Sequence, residues 1–275
     1  MKSTIISAVV ALFLGLSTQN VDLGPAYSVK ITGTTQWKEI KRIEKDPVFV
    51  EGLEFIDDTT LIESVGQYWG SQIRKVKMNT ADSEIILEHS LPAGNFGEGC
   101  TKFNDFIYQM TYREGNVYVY DANTLEQVKV LKMPKEMEEG WGLTHDDTHL
   151  WASDGTDHLF KIRPDDFTVV EKLKVKDKNG KAVHYINELE LVDDHIFGNV
   201  LPLNIIIKID KKTGQIEKIY DFKTLFEAQM ERVDEIGNYW DKTNNVMNGI
   251  AFNKVSNTFI ITGKNWNYFF EVQLQ

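Results

Sequence analysis

The residues that could carry chemistry lie at the starts of short apolar segments. The stretch NFGEGCTKF places one acid, Glu98, between two glycines, directly before a segment with the composition of a buried strand. Similar segments elsewhere begin with Glu51, Trp141, Asn187 and Asn248. Proteins bind small molecules with carboxylate, amide and indole groups that face one cavity. We therefore expect a small-molecule site where these five positions meet.

These five segments are the openings of five repeats. Beyond Ile40 the chain consists of alternating runs rich in Val, Ile, Tyr and Phe, separated by turn sequences, which predicts an all-β protein. The openings are EGLEF, EGCTK, WGLTH, NELEL and NGIAF, and further predicted strands follow each at similar offsets. They lie 47, 43, 46 and 61 residues apart. The longest interval contains KTLFEAQMERVDEI, which is a predicted short helix.

Four-stranded repeats predict a β-propeller, because such a repeat cannot bury both faces alone and must pack against its neighbours. The fifth repeat lacks its last strand. We expect QWKEIKRIEKD, near the N-terminus, to supply it by pairing with the strand that contains Gln273. The prediction is therefore a single five-bladed β-propeller domain over residues 19–275, its last blade closed by an N-terminal strand. The main alternative is a six-bladed ring, which would require a further repeat.

The inner strands of a propeller line its central channel, so the five openings are expected to meet at one mouth of that channel. A structural explanation is also open. Polar residues at strand entrances could hydrogen-bond only to neighbouring backbone, and the glycines that follow them could serve only the close approach of the blades.

The N-terminal segment predicts export. Lys2 precedes an apolar run from Ile5 to Leu16, which has the length of a signal-peptide core, so residues 1–18 are expected to be a cleaved signal peptide, with an uncleaved anchor as the alternative. The mature chain would be secreted, into a periplasm or a secretory-pathway lumen, as a monomer without stable membrane association. Cys100 is the only cysteine, so an internal disulfide is excluded. A net charge of -11 without a basic cluster argues against nucleic acid as a partner.

Several longer motifs occur in a fixed order between Phe49 and Val272. They are FVEGLEF, FGEGCT, EGWGLTHDDTHLWASDGT, INELEL, MNGIAF and ITGKNW. Together they resemble the plant and bacterial type of glutaminyl-peptide cyclotransferase, a five-bladed propeller unrelated to the zinc-dependent animal enzyme. The resemblance implies conversion of the N-terminal glutamine of peptides or proteins to pyroglutamate with release of ammonia. It implies no cofactor and no metal.

The resemblance also assigns roles to individual residues. Glu98 matches the catalytic glutamate and Asn187 the substrate-binding asparagine, while Phe49, Trp141 and Lys264 match pocket residues. In the implied reaction the attacking amine loses a proton and the leaving nitrogen gains one, so one acid that shuttles protons serves both steps. Aromatic neighbours would disfavour the charged form of that acid and raise its pKa.

Three positions depart from the family pattern. Glu51 replaces the usual glutamine and puts a second carboxylate near Glu98, which would raise one pKa further or let the two groups share a proton. Tyr112 and Leu201 stand where tryptophans are common, so weaker substrate binding is expected. These losses favour an alternative function, a secreted propeller that binds a peptide terminus or small ligand without catalysis.

A third hypothesis is a calcium-dependent lactonase on a related propeller. Its ion would need several carboxylate and amide oxygens across the channel, which Glu51, Glu98, Asn187 and Asn248 could supply. The order of the motifs argues against it.

Overall fold

The computed structural model describes residues 35–275, and the predicted signal peptide lies outside them. Strand β1 spans Trp37–Glu44. Blade 1 consists of β2 to β5, at Val50–Phe55, Thr60–Val65, Gln72–Met78 and Ser83–Ser90. Blade 2 consists of β6 to β9, at Gly97–Phe103, Phe106–Thr111, Asn116–Asp121 and Gln127–Lys132. Blade 3 consists of β10 to β13, at Leu143–His145, Leu150–Ser153, His158–Arg163 and Thr168–Lys174. Blade 4 consists of β14 to β17, at Ile186–Val192, His195–Val200, Ile205–Asp210 and Ile216–Asp221. Helix α1 at Lys223–Ile236 precedes blade 5, which contains β18 to β20 at Met247–Asn253, Thr258–Gly263 and Tyr268–Leu274.

The five sheets form a closed ring. Each of the first four blades pairs its strands antiparallel in chain order, and the fifth sheet has the order β1-β20-β19-β18. Strand β1 lies antiparallel to β20, with Trp37 opposite Leu274 and Lys38 opposite Gln273. The first strands of the blades, β2, β6, β10, β14 and β18, contact one another in a ring. The five-bladed prediction and its closing strand are therefore confirmed, and the six-bladed alternative is wrong for the described residues.

The burial pattern explains why these segments form strands. Most residues of β2 and β6, on the channel, are buried on both faces, whereas β5, at the rim of blade 1, alternates between exposed and half-buried residues. Five apolar clusters fill the spaces between neighbouring blades. Cys100 is a buried free thiol within one of them. Stability in the described region thus comes from packing between blades rather than from a disulfide.

Helix α1 anchors the turn that precedes β20. It ends at Gly237, whose φ of 67° is the left-handed conformation typical of a helix C-terminus. Leu225 and Ala228 pack into the apolar cluster of blade 5. Gln229 exchanges two hydrogen bonds of 2.9 Å with Asn267. The helix therefore fixes the loop that carries Lys264, and it lacks the length and apolar character of a membrane-crossing helix.

Candidate active site

The inner strand of four blades has an irregular register at the predicted site residues. The pairing of β2 with β3 shifts between Val50 and Gly52, and similar shifts occur in β6, β14 and β18. A β-bulge places an extra residue in one strand and re-aims its side chain. The residues within the four irregular steps include Glu51, Glu98, Asn187 and Asn248. The propeller thus repeats one backbone irregularity in four blades and places a carboxyl or an amide side chain in each.

The glycines that follow these openings let the inner strands approach closely. A Cβ on Gly142 would lie 2.1 Å from the carbonyl oxygen of Asn187, so only glycine fits there. This is the structural role that the sequence left open for the glycines. It does not account for the polar side chains, which bond to one another.

A hydrogen-bonded network joins four of the predicted residues. Lys264 Nζ donates to Glu51 Oε1 at 2.6 Å, and Asn248 Nδ2 donates to Glu51 Oε2 at 3.1 Å. Asn187 Nδ2 in turn donates to Asn248 Oδ1 at 2.9 Å. Glu51 is 1% exposed, so this is a buried ion pair. The Oδ1 atom of Asn187 is also buried but has no partner, which leaves one unpaired acceptor.

Glu98 lies against this network as a buried acid. Burial raises its pKa well above the ordinary value, the negative charge of Glu51 raises it further, and Lys264 partly opposes the rise. The two carboxyl groups lie close enough to share a proton, because each shifts the pKa of the other. Because Lys264 and Asn248 both donate to Glu51, the shared proton is best held by Glu98. Glu98 is thus a protonated carboxyl group beside a carboxylate, as the Glu51 departure led us to expect.

Aromatic rings wall one side of the pair, with Phe96 at their centre. The ring of Phe96 lies 6.1 Å from Phe49, 5.2 Å from Tyr68 and 6.1 Å from Tyr112, between ring centroids. The ammonium of Lys264 lies 4.8 Å from the centre of the Phe49 ring. Phe96 and the three rings around it keep water away from Glu51 and Glu98, and this is one cause of the desolvation of these two acids.

Phe96 and Tyr68 also line the site, although neither is among the residues predicted from the sequence. Phe96 lies two residues before Glu98, as Phe49 lies two residues before Glu51, and that equal spacing is the signal that identifies it. Tyr68, which is 48% exposed, belongs to the turn between β3 and β4, and nothing in the repeat pattern marks it.

Trp141 and Tyr112 are linked through Glu139 rather than through the polar network. Trp141 Nε1 donates to Glu139 Oε2 at 3.0 Å, and Arg113 Nε donates to Glu139 Oε1 at 2.8 Å. Burial and the charge of Glu139 raise the pKa of Tyr112 to about 12, so its hydroxyl is neutral. The backbone of Trp141 occupies the expected position, where its carbonyl accepts from Gly99 N at 2.7 Å.

The indole of Trp141 packs over Gly155. A Cβ at Gly155 would lie 2.6 Å from the indole, so a side chain there would displace the ring. Leu201 lies in the loop after β15, where its N–H donates to the carbonyl of Tyr185, and Tyr185 N donates to the carbonyl of Gly155. The predicted pocket residues Trp141 and Leu201 are therefore connected through the backbone of Gly155 and Tyr185. They lie next to the polar network but are not part of it.

A further buried acid, Glu188, lies next to Asn187 on β14. Its side chain is fully buried, and Oε2 accepts a hydrogen bond from Leu53 N at 2.9 Å while Oε1 has no partner. Burial raises its pKa well above the ordinary value, and the charges of Glu51 and Glu190 raise it further. Strict strand alternation would put Glu188 and Asn187 on opposite faces, and the irregular register of β14 suspends that rule.

The substitution Glu188→Gln should stabilise the protein at alkaline pH. The raised pKa means that the folded state gains stability from protonated Glu188 below the ordinary value of 4.5 and loses it as the pH rises. Glutamine removes that loss, by roughly 1.4 kcal/mol for each pKa unit of the rise. Thermal melts of both proteins at about pH 5 and about pH 8 should show a gain of about 2–4 °C per kcal/mol, confined mainly to the higher pH. An equal change in melting temperature at both pH values would contradict the assignment.

Comparisons with known proteins agree with this geometry. The family model described as glutamine cyclotransferase matches residues 10–274. The chain is 31% identical over 231 residues to a glutaminyl-peptide cyclotransferase of Arabidopsis thaliana, which covers 84% of this chain and 68% of that protein. The crystal structure of Myxococcus xanthus glutaminyl cyclase matches with a TM-score of 0.76 at 28% identity, and the match covers 87% of this chain and 96% of that one. Sequence and fold therefore indicate the same relatives.

Proposed function

The chain belongs to the glutamine cyclotransferase family, and we propose that it converts the N-terminal glutamine of peptides or proteins to pyroglutamate, with Glu98 as the general acid and base. The observation that carries the role of Glu98 is its buried carboxyl group beside Glu51, which is itself ion-paired with Lys264. Such an arrangement keeps one proton available in a site from which water is largely excluded.

The proton transfers follow from this arrangement. The neutral α-amine of the substrate attacks the side-chain amide carbon, so that the ring C–N bond forms, the C=O π bond opens to an oxyanion and the attacking nitrogen becomes positive. Protonated Glu98 gives its proton to the amide nitrogen, the bond between that nitrogen and the amide carbon breaks as the oxyanion restores the carbonyl, and ammonia leaves. The resulting carboxylate then takes the surplus proton from the ring nitrogen, which restores protonated Glu98. One acid thus serves both steps, and proton and charge balance over the cycle.

Asn187 is the proposed substrate-binding amide. The family resemblance assigns Asn187 to substrate binding. In the structure Nδ2 already donates to Asn248, and the unpaired atom is Oδ1. This acceptor suits an N–H of the substrate's α-amine, and a hydrogen bond there would orient the amine for attack. The aromatic wall of Phe49, Phe96 and Tyr112 then packs against the substrate side chain.

We propose that these steps require no metal, because Glu98 performs both proton transfers. The calcium alternative also fits the site poorly. The ammonium of Lys264 already neutralises Glu51, and Asn248 directs its amide nitrogen, not its oxygen, toward that carboxylate. We further propose that the protein is secreted, on the basis of the N-terminal segment described above, and that it is a monomer.

A binding protein without catalysis is the second candidate function. Its support is that Tyr112 and Leu201 offer less aromatic surface than the tryptophans that are common at these positions. The polar network beside them is complete and the pKa of Glu98 is raised, and both features favour the enzyme.

The test is incubation of the purified protein with an N-terminal glutamine dipeptide, followed by measurement of ammonia. We expect release from the free dipeptide, none from the Nα-acetylated dipeptide, which lacks the nucleophile, and no loss of activity with a chelator. Binding of the free dipeptide without ammonia release would support the binding protein instead. Loss of activity with chelator would contradict the metal-independent mechanism.

Glu51→Gln should move the pH profile to lower pH. The negative charge of Glu51 raises the pKa of Glu98, so a neutral glutamine lowers that pKa. The dependence of kcat/KM on pH reports groups of the free enzyme and free substrate. The limb that belongs to Glu98 should therefore shift toward acid, whereas the limb of the substrate amine, at about pH 8, should stay. A profile that is unchanged would show that Glu51 does not influence the catalytic acid.

A further inference from the structure

The C-terminal ends of the inner strands form a second mouth, at the other end of the channel from Glu98. Glu54 lies near the end of β2, Glu190 follows Asn187 by three residues on β14, and His145 ends β10. With residues of the adjoining turns they line a cavity of about 660 Å³. None of these groups takes part in the proposed reaction.

Glu190 is a buried acid whose charge is not neutralised by a close partner. It is 7% exposed, its Oε2 atom has no hydrogen-bond partner, and no Lys, Arg or His within residues 35–275 forms an ion pair with it. Burial, and then the charge of Glu54, raises the pKa of Glu190 well above the ordinary value, while a hydrogen bond from the backbone of Phe252 and the charge of Lys254 offset this only in part. A buried carboxyl group beside a second one is costly unless a positive group joins them.

Glu54 has two neutral donors and one cationic neighbour, His145; burial lowers the pKa of His145, but the hydrogen bond and the charge of Glu54 raise it on balance. Thr101 Oγ1 and Lys102 N donate to its carboxylate, the latter at 3.3 Å, and His145 Nε2 lies 3.5 Å from Oε1. These groups position the Glu54 carboxylate at the edge of the cavity. A further cation placed between Glu54 and Glu190 would stabilise the charged forms of both acids.

The cavity as a whole is acidic and partly apolar. Seven of its lining residues, Glu54 and Glu190 included, are acids, and three are lysines. Two of those acids, Asp57 and Asp146, accept hydrogen bonds within their own turns and are not free to bind a ligand. Phe55, Leu191 and Phe252 add apolar wall. The cavity therefore suits a cation that carries an apolar hydrocarbon chain.

A bare metal ion fits this composition less well than an organic cation. Within the described residues, the group of three ligand atoms close enough to hold a metal is at His195, Asp210 and Glu217 on blade 4, and none of these three residues lines the cavity. A primary ammonium needs no fixed coordination shell, because it donates up to three hydrogen bonds and carries an alkyl chain that packs on apolar walls.

We propose that the second mouth binds a primary alkylammonium group, from a free diamine or from a lysine side chain, with the carboxylates of Glu190 and Glu54 as its acceptors. This binding does not depend on the proposed reaction at Glu98. The two sites lie at opposite ends of the same inner strands.

Isothermal titration of the wild-type protein with cadaverine tests the proposal. We expect saturable binding of cadaverine and no binding of the diol of the same length, which lacks the charge. Glu190→Gln should weaken cadaverine binding by about tenfold or more, because a charge-assisted hydrogen bond is lost. Glu84→Gln, an exposed acid on β5, makes the same change in net charge and should leave the affinity unchanged, as should Glu98→Gln at the other mouth.

Two further arms complete the design. Nα-acetyl-lysine amide presents the ammonium as a protein would. Binding of it as well as cadaverine points to lysine side chains, and binding of cadaverine alone points to free diamines. Binding of calcium without binding of cadaverine, equal binding of the diol, or equal affinities of Glu190→Gln and Glu84→Gln would overturn the proposal. Should Glu190→Gln fail to fold, judged by circular dichroism, the comparison of diamine with diol on the wild type and the variant Glu54→Gln still decide it.

Discussion

Glu98→Gln should lower kcat/KM for an N-terminal glutamine dipeptide by about 10² to 10⁴, the usual contribution of a positioned general acid and base. Glutamine has nearly the same shape and hydrogen-bonds to Glu51, but it cannot carry a proton between the attacking amine and the leaving nitrogen. The loss should appear in kcat, with a smaller change in KM, because the aromatic wall and Asn187 still hold the substrate.

The fold should survive this substitution. Glu98 is a buried acid with a raised pKa, so replacing it with a neutral residue removes a group whose ionisation disfavours folding. A melting temperature no lower than that of the wild type at neutral pH would exclude unfolding as the cause of lost activity. Glu84→Gln serves as the control for activity, since that side chain is exposed on the rim of blade 1. Activity of Glu98→Gln within tenfold of the wild type would contradict the catalytic assignment.

Lys264→Met should produce the largest loss of stability. Methionine keeps much of the apolar stem but leaves the buried Glu51 carboxylate without its ion-pair partner at 2.6 Å. Breaking a buried pair in this way costs about 3–5 kcal/mol. Without the cation the pKa of Glu51 rises further, so the loss should be smaller where Glu51 becomes protonated. Chemical denaturation should therefore show a greater loss at about pH 8 than at about pH 5.

An exposed ion pair supplies the matched control. Lys223 Nζ lies 3.4 Å from Glu227 Oε1, and both side chains are more than half exposed, whereas the Lys264 side chain is 12% exposed. Lys223→Met should cost no more than about 1 kcal/mol, because solvent screens the pair. Similar losses for the two variants would show that burial does not give the Lys264 pair its strength.

The fold could be predicted from the sequence because five repeats each satisfy the same local rules. Equal offsets between strands fixed the number of blades, and a repeat that lacks a strand requires one from elsewhere, which β1 supplies. Helix α1 was predicted from its pattern within the longest interval between openings. These features depend on local periodicity and on the need to bury apolar faces, both of which are visible in a single chain.

The site was predicted in part. Stacking the repeats places Glu51, Asn187 and Asn248 at one register, and the structure joins them by hydrogen bonds. The partner of Glu51 was not predictable in this way, since Lys264 lies 213 residues later, in a turn with no counterpart at that register. The inward position of Glu188 was missed because alternation fails where the register of β14 is irregular.

Trp141 shows that an equivalent backbone position does not fix the direction of a side chain. Its backbone carbonyl accepts a hydrogen bond from Gly99 on the neighbouring inner strand. Its indole, however, donates to Glu139 and packs against Gly155. Which partner a side chain chooses depends on packing among residues of different blades, and the repeat pattern does not contain that information.

In the proposed mechanism Glu98 is a protonated acid whose pKa is raised by burial, raised further by Glu51 and lowered by Lys264. The most direct test is the pH dependence of kcat/KM for wild type, Glu51→Gln and Lys264→Met, measured side by side on one glutamine dipeptide. We predict a wild-type limb well above the ordinary value of 4.5. That limb should move to lower pH in Glu51→Gln and to higher pH in Lys264→Met, while the limb of the substrate amine stays in place. Three superimposed profiles would contradict the account.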